Sequence, residues 1–181
     1  MKIDNDNELV RNFIQGDESA FNLLVRKYQK KIYWHARQML GDHLDADEVT
    51  QEVLIVMYKK LHTFNFQSNL YTWIYKIVTT RSLNQIKRKK LMRLIPFEFS
   101  KENEIVSDYD IVENLVQKEK LEKVNLALEK LPIKQRQVFI MRNFDELSYE
   151  EISEITGVSV GGLKANYFHA LNKVMRMLNE K

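Results

Sequence analysis

The chain has 181 residues, of which 44% are hydrophobic and 29% charged, and its formal net charge is +3. The absence of cysteine excludes disulfide bonds and thiolate metal sites. No apolar run reaches the ~18 residues of a membrane span, and the opening MKIDNDNELV lacks the apolar segment of a secretion signal. We therefore expect a cytoplasmic chain of one or two domains, without membrane insertion.

The N-terminal half carries apolar residues at helical spacing, with only two prolines and five glycines in the whole chain. Asp17 or Ser19 can cap the second helix and Gly41 can end it, while Asp45 and Glu48 have the spacing of a capping box for the third. The expected helices cover residues 7–14, 17–40, 45–61 and 69–90. Because three long helices can bury one another's apolar stripes, residues 1–92 are predicted to form one helical domain.

The next segment differs in composition. Residues 93–111 contain Pro96 and an excess of acidic side chains, which predicts an acidic flexible linker. From residue 112 the helical period resumes, breaks at Pro132 and continues, so that residues 112–181 are predicted to form a second domain. The expected fold class is all-α, with two small helical domains joined by the linker.

The end of the chain has the layout of a helix-turn-helix. Ser148 and Glu151 form an S-x-x-E capping box, Gly157 can make the turn, and Ser159 can cap a longer helix. The second helix of such a motif commonly enters the major groove of DNA. Its first residues are small or polar and could approach base edges: Ser159, Gly161, Gly162, Lys164, Ala165 and Asn166. Simple packing of two capped helices in a bundle remains the alternative.

The fourth helix combines aromatic and basic residues. Seven cations and no acid lie between Lys76 and Phe97, directly after Tyr71, Trp73 and Tyr75. Such a combination suits single-stranded nucleic acid, because rings stack on unpaired bases while cations hold the backbone. A solvated basic face is the alternative, and so is a core position for some of the aromatic rings.

The third helix is acidic around Asp47, Glu48 and Glu52. Glu48 and Glu52 could share a metal ion, but no histidine or further carboxylate stands at ligand spacing, which favours a protein-docking surface. The chain offers no phosphate-binding glycine loop and no nucleophile with a recognisable local context. We therefore expect no catalytic residues, no cofactor and no metal.

Three segments in this order resemble bacterial RNA polymerase sigma factors of the extracytoplasmic-function (ECF) class. The segments are DADEVTQEVLIVMYKKL, FNFQSNLYTWIYKIVTTRSLNQIKRKK and LPIKQRQVFIMRNFDELSYEEISEITGVSVGGLKANYFHALNKV. The first resembles the segment that docks on the polymerase, the second the segment that opens and reads the −10 promoter element, and the third the domain that reads the −35 element. The resemblance implies a transcription initiation factor that binds core RNA polymerase, directs it to promoters and assists their melting.

The resemblance also implies roles for individual residues. By this resemblance, polymerase docking is assigned to Asp47, Gln51 and Glu52. Binding of the −10 DNA is assigned to Phe66 in the loop after His62, and to Tyr71, Trp73, Tyr75, Lys76, Thr80, Asn84 and Lys87. Binding of the −35 duplex is assigned to the six small or polar residues from Ser159 to Asn166, with Arg136 as a phosphate contact.

The chain departs from the family pattern in the second helix of the helix-turn-helix, which would read the −35 duplex. Asn166, His169 and Leu171 stand where arginine is frequent, which removes the commonest guanine contact. The promoter sequence is therefore not transferable from relatives. An anti-sigma factor is a further implied partner, and the free chain is expected to be monomeric.

The sequence alone also allows two other functions. A free-standing helix-turn-helix repressor or activator would bind duplex DNA without polymerase, typically as a symmetric dimer, and would leave the aromatic and basic helix unexplained. A metal-dependent nuclease would use the acidic helix.

Overall fold

The computed structural model describes residues 6–92 and 123–179, and within these ranges every regular element is helical. The all-α prediction is confirmed. The predicted linker at 93–111 and the first residues of the second predicted domain lie outside the described residues. The helices are α1 (Asp6–Ile14), α2 (Glu18–Leu40), α3 (His43–Lys60), a 3₁₀ turn (Leu61–Thr63), α4 (Leu70–Met92), α5 (123–129), α6 (Ile133–Asn143), α7 (Tyr149–Thr156) and α8 (Val160–Asn179).

The ends of α2 follow the sequence closely. The Asp17 side chain accepts from the Ser19 amide at 2.9 Å and caps the helix. Gly41 ends it at φ +75°, a left-handed conformation that glycine adopts without the steric cost of a Cβ.

The predicted start of α3 was wrong. The helix begins at His43, and its cap is Asp42, which accepts from the Asp45 amide at 2.8 Å. Asp45 and Glu48 do not form a capping box there. Both carboxylates accept hydrogen bonds from the amide of Gln85 on α4. A partner 40 residues away cannot be read from local spacing.

The N-terminal half packs the apolar stripes of α2, α3 and α4 against one another. Leu24, Ile32, Met57 and Ile74 are fully buried in this core, and α1 covers one side with Leu9 and Val10. Full burial of one such side chain contributes about 1.5–3 kcal/mol to stability.

The C-terminal helices build a second core around Leu128, Ile140, Ala170 and Val174. It also includes Met39, from the last turns of α2, and so receives a side chain from the N-terminal half.

The first core extends across both halves. It contains buried residues of the N-terminal helices together with Val138, Met141, Leu147, Ile152, Ile155 and Leu163. The two predicted domains therefore pack directly on each other. Their predicted boundaries at 92 and 112 stay predictions. None of the helices in the described ranges has the length and apolarity needed to cross a membrane.

Candidate nucleic-acid interface

One face of α4 brings together five of the side chains that the sequence assigned to −10 DNA. Their spacing of three, four, four and three residues follows one helical stripe. All five are half-buried or exposed, and the Thr80 hydroxyl turns back to the Lys76 carbonyl at 2.7 Å. The stripe consists of Trp73, Lys76, Thr80, Asn84 and Lys87. It offers one aromatic ring, two cations and two hydrogen-bonding groups in a row.

The loop before α4 adds a pocket to this stripe. Phe66 has φ +59° and packs on Phe64, with ring centroids 5.1 Å apart, while the Arg11 guanidinium lies 5.1 Å from its centroid. Phe66 is thus held between the loop and α1. The pocket measures about 420 Å³, and its walls come from Thr63, Asn65, Gln67, Ser68, Trp73, Lys76 and Glu154. Its size is in the range of small-ligand sites.

Tyr71 and Tyr75 lie beside the stripe and point toward the C-terminal half. The Tyr71 hydroxyl donates to the Glu151 carboxylate, and the Tyr75 hydroxyl donates to Asp145 Oδ1 at 3.2 Å. Burial, with the neighbouring carboxylate, raises the pKa of each phenol. In this conformation Tyr75 is buried between the halves, with 4% of its surface exposed.

Most other cations of α4 are paired with the acidic helix α3. Arg81 lies 3.2 Å from Glu52, Arg88 lies 2.9 Å from Glu48, and Lys89 pairs with Asp45. The Glu48 carboxylate raises the pKa of Arg88. The basic run is therefore partly neutralised within the protein, and of the two stripe cations Lys76 lies 3.7 Å from the Glu154 carboxylate of α7.

The outer face of α3 carries a different surface. Asp47, Gln51 and Ile55 follow one another at four-residue spacing, next to Leu44. Leu44 is 71% exposed and Ile55 is 53% exposed, so this face presents two apolar side chains beside its polar groups. Glu52 lies at the border, turned to Arg81. In the part of the chain that the structure describes, no group of three or more His, Asp or Glu side chains could hold a metal ion.

The helix-turn-helix is present as predicted. Ser148 and Glu151 exchange the two hydrogen bonds of a capping box, and Gly157 ends α7 at φ +72°. The Ser159 hydroxyl accepts from the Gly162 amide at 3.3 Å at the start of α8. Four of the six predicted base-facing residues are exposed: Ser159, Gly161, Lys164 and Ala165.

The other two, Gly162 and Asn166, are half-buried and joined to each other. The Asn166 amide donates to the Gly162 carbonyl at 2.9 Å, so its hydrogen-bonding groups are partly used within α8. Lys164 lies 5.7 Å from the Tyr149 ring centroid, a cation–π contact.

Arg136 lies between the halves. Its guanidinium donates to the Met39 carbonyl at 3.0 Å and to the Glu129 carbonyl, and desolvation lowers its pKa. Its predicted contact with a DNA phosphate would require it to leave these carbonyls.

Sequence reasoning missed a polar contact buried between the halves. His35 Nδ1 lies 2.7 Å from Asp145 Oδ2, and the two side chains are 0% and 7% exposed. On its other side His35 Nε2 lies 3.3 Å from the Thr79 hydroxyl. The burial of His35 could have been predicted, because it follows Tyr28 and Ile32 on the buried stripe of α2. Its partner could not, because Asp145 is 110 residues away.

An aromatic and basic helix packed beside a helix-turn-helix is the arrangement expected of a helical nucleic-acid-binding protein. The sigma-70 region 2 family model matches residues 24–91, and the sigma-70 region 4 model matches residues 121–174. The ECF RNA polymerase sigma-E factor of Escherichia coli (strain K12) is 31% identical over 172 residues, covering 91% of this chain and 90% of that relative. The ECF RNA polymerase sigma factor SigW of Bacillus subtilis (strain 168) is 29% identical over 178 residues, covering 94% and 95%.

The chain therefore belongs to the ECF RNA polymerase sigma factors, and its function is promoter-directed initiation of transcription. Two solved structures share the fold at 20% identity. CnrH, in complex with the cytosolic domain of CnrY, has a TM-score of 0.73 and covers 96% of this chain, 97% of its own. RpoE of Bartonella quintana, in complex with the anti-sigma factor NepR, has a TM-score of 0.69 and covers 89% of this chain, 98% of its own.

Proposed function

We propose that the stripe on α4 holds the melted −10 strand, that α8 reads the −35 duplex, and that the outer face of α3 docks on core RNA polymerase. The chain has no catalytic chemistry of its own and works in the cytoplasm, where it supplies the polymerase with promoter recognition. The observation that carries the proposal is the stripe itself, since one helix face lines up a ring, two cations and the loop pocket.

The strand-binding role depends on the chemistry of unpaired DNA. A base leaves the duplex more easily when a ring can stack on it and a polar pocket can accept it, while Lys76 and Lys87 offset the charge of the backbone. Trp73 is half-buried and lines the pocket, so it is the favoured stacking platform. Phe66 shapes the loop from the side of α1, and Tyr71 and Tyr75 support the surface from the other side.

The docking role depends on the exposed apolar groups of α3. A contact surface commonly combines an apolar centre with polar groups that fix orientation. Leu44 and Ile55 supply the apolar area, Asp47 and Gln51 the polar groups, and Glu52 contributes at the edge while paired with Arg81. Two weak DNA contacts then add up because polymerase holds both on one particle, which raises the effective concentration of the second contact.

The −35 role uses the exposed start of α8. Ser159, Gly161, Lys164 and Ala165 approach base edges, and Gly162 and Asn166 complete the recognition surface. Arg136 contacts a phosphate once it has left the Met39 and Glu129 carbonyls. We also propose an anti-sigma factor as a partner, because the RpoE structure of the same fold was obtained as such a complex.

The test is reconstitution with core polymerase, followed by transcription from the chain's own upstream region. Asp47→Arg with Gln51→Ala should reduce polymerase binding at least tenfold, because the change reverses a charge and removes a hydrogen-bonding group at the docking face. Glu8→Arg, on the exposed surface of α1, makes a similar charge change and should leave binding unchanged. Failure of the unaltered chain to bind core or to initiate from any promoter would contradict the proposal.

A further inference from the structure

The loop between α3 and α4 turns at Phe66, whose backbone lies in the left-handed region at φ +59°. This region is unfavourable for a residue with a bulky side chain. The neighbours of Phe66 close the turn, since the Gln67 backbone amide donates to Asn65 Oδ1 at 3.2 Å and the Asn65 side-chain amide donates to Gln67 Oε1 at 3.0 Å. A residue in this conformation persists only where surrounding contacts hold it.

The residues of this turn serve two sides of the molecule. Asn65 and Gln67 line the pocket beside Trp73, and each carries an amide with a donor and an acceptor, the groups that distinguish base edges. The Phe66 ring packs instead toward α1, where the Arg11 guanidinium lies 5.1 Å from its centroid. The anchoring of Phe66 therefore sets where the two amides stand in the pocket.

Ring contacts continue from Phe66 to the other wall of the pocket. The centroids of Phe66 and Phe64 are 5.1 Å apart, and those of Phe64 and Trp73 are 6.0 Å apart, both pairs meeting edge to face. Phe64 is buried, so it cannot adjust freely to a change in either neighbour. Arg11 thus stands at the outer end of a row of contacts that reaches both the loop and Trp73.

Helix α1 gives Arg11 a fixed base. Leu9 and Val10, directly before it, are buried in the first core, and the Tyr28 hydroxyl donates to Asp6 Oδ2 at 2.6 Å at the start of the helix. Arg11 itself is exposed. Its side chain can therefore be changed without opening a cavity in the core.

We propose that Arg11 is a positioning residue for base selection, because it holds Phe66 against α1 and so keeps the two amide side chains of the loop in place. The proposal rests on the strand-binding role of the α4 stripe and adds α1 to the elements that decide which base is accepted. Arg11 acts through Phe66 and not by contact with the base.

The consequence concerns selectivity more than affinity. Without Arg11 the loop is ordered in a smaller fraction of molecules, and selective binding falls with that fraction. Lys76 and Lys87 lie on α4, outside the loop, so their attraction for the strand's phosphates remains.

The test measures base selection separately from strand affinity. Holoenzyme is assembled from the full chain and core polymerase, and core polymerase alone gives the background. Bound strands are selected from single-stranded DNA dodecamers randomised at every position, and sequencing gives the base preference at each position. The position that loses its preference in Gln67→Ala identifies the base in the pocket. Four defined dodecamers that differ only there then give the ratio of best to worst affinity.

Three variants with matched changes isolate the contact. Arg11→Gln removes the cation, Arg11→Lys keeps one within reach of the ring, and Arg26→Gln makes the same charge change at an exposed position of α2. We expect Arg11→Gln to lower the ratio about two- to fivefold, the range of an exposed cation–π contact. Its affinity for the randomised pool should change by less than about twofold. Arg11→Lys should recover part of the selection, and Arg26→Gln should keep all of it.

An unchanged ratio in Arg11→Gln would overturn the proposal, and so would a Gln67→Ala variant that keeps every base preference. An equal loss of affinity for all four dodecamers would overturn it as well, since Arg11 would then be a phosphate contact. In that case the logarithmic salt slope would fall by about 0.7, whereas a positioning role leaves the slope unchanged. Absence of strand binding by the unaltered holoenzyme would contradict the strand-binding role itself and this inference with it, so the two failures are distinguishable.

Discussion

At the scale of single residues, carboxylates have three different tasks in this chain. Asp42 caps a helix, Glu52 neutralises Arg81 of the neighbouring helix, and Glu151 both caps α7 and accepts from Tyr71. Local spacing predicted the capping box of Glu151, because a cap and its partner are three residues apart. It could not predict the contacts with Arg81 or Tyr71, because those partners are brought close only by tertiary packing.

Gly157 is needed for the turn between α7 and α8. Its φ of +72° is costly for residues with a Cβ, although no atom lies within 4 Å of where that Cβ would be. Gly157→Ala should therefore destabilise the protein by about 1 kcal/mol through the backbone alone. Chemical denaturation measures the change. Gly161→Ala, at an open helical position without positive φ, is the control and should be neutral or stabilising.

The hydrogen bond from Tyr71 is the main reason that the pKa of Glu151 lies below its ordinary value. We expect Tyr71→Phe to raise the pKa of Glu151, as measured by side-chain carbon NMR. A lowered pKa adds stability above the ordinary glutamate pKa of about 4.3, and this contribution is lost as pH falls through the lowered value. The stability difference between the unaltered chain and Tyr71→Phe should thus shrink in acid, and a constant difference would argue against this coupling.

At the scale of elements, the sequence predicted most helices to within a few residues, since apolar period, glycines and prolines act locally. Pro132 directly precedes α6, and Gly41 and Gly157 end α2 and α7. The five members of the stripe on α4 were assigned to −10 DNA by the family resemblance, and helical spacing then explains why they share one face. The pairing of Arg81, Arg88 and Lys89 with carboxylates of α3 could not be predicted, because it depends on how two helices pack side by side.

A variant of Trp73 can separate stacking on an unpaired base from binding of the closed promoter complex. Trp73→Ala should impair strand opening about five- to 150-fold while changing closed-complex formation little, because a stacked base contributes about 1–3 kcal/mol. Permanganate reactivity of unpaired thymines measures opening, and footprinting measures the closed complex. Trp34→Ala removes the same ring from an exposed site on α2, 50% accessible, and should leave opening per bound complex unchanged. Equal loss at both steps would contradict a stacking role.

At the scale of the whole molecule, the sequence predicted two domains with a linker but not their contact. An apolar period indicates which face of a helix is buried, yet the pattern does not say which partner covers that face. The partners are the helices of the N-terminal half, because residues of α6 and α7 pack with those of α2 and α4 in one apolar core. The buried His35–Asp145 contact makes the same point, because it joins residues 110 positions apart.

The shared core predicts cooperative unfolding. Ile152 is 0% exposed, so Ile152→Ala should destabilise the chain by about 2–5 kcal/mol and lower the temperature of one common transition in calorimetry. Val158→Ala, at a half-buried position in the turn, should cost less. Two separated transitions in the unaltered chain, with only one affected by Ile152→Ala, would show that the halves unfold independently.

The ion pairs between α3 and α4 have a consequence for ionic strength. Single strands gain affinity by releasing counterions, with a logarithmic salt slope of about −0.7 per neutralised phosphate, so the six cations of α4 would give about −4 if all were free. Arg81, Arg88 and Lys89 already have carboxylates of α3 as counterions, which leaves three cations and a slope of about −2 once Lys76 exchanges Glu154 for a phosphate. The affinity of α4 for single strands would therefore fall less with rising salt concentration than the number of its lysines and arginines suggests. An osmotic upshift that raises intracellular salt would therefore disturb this step of initiation comparatively little.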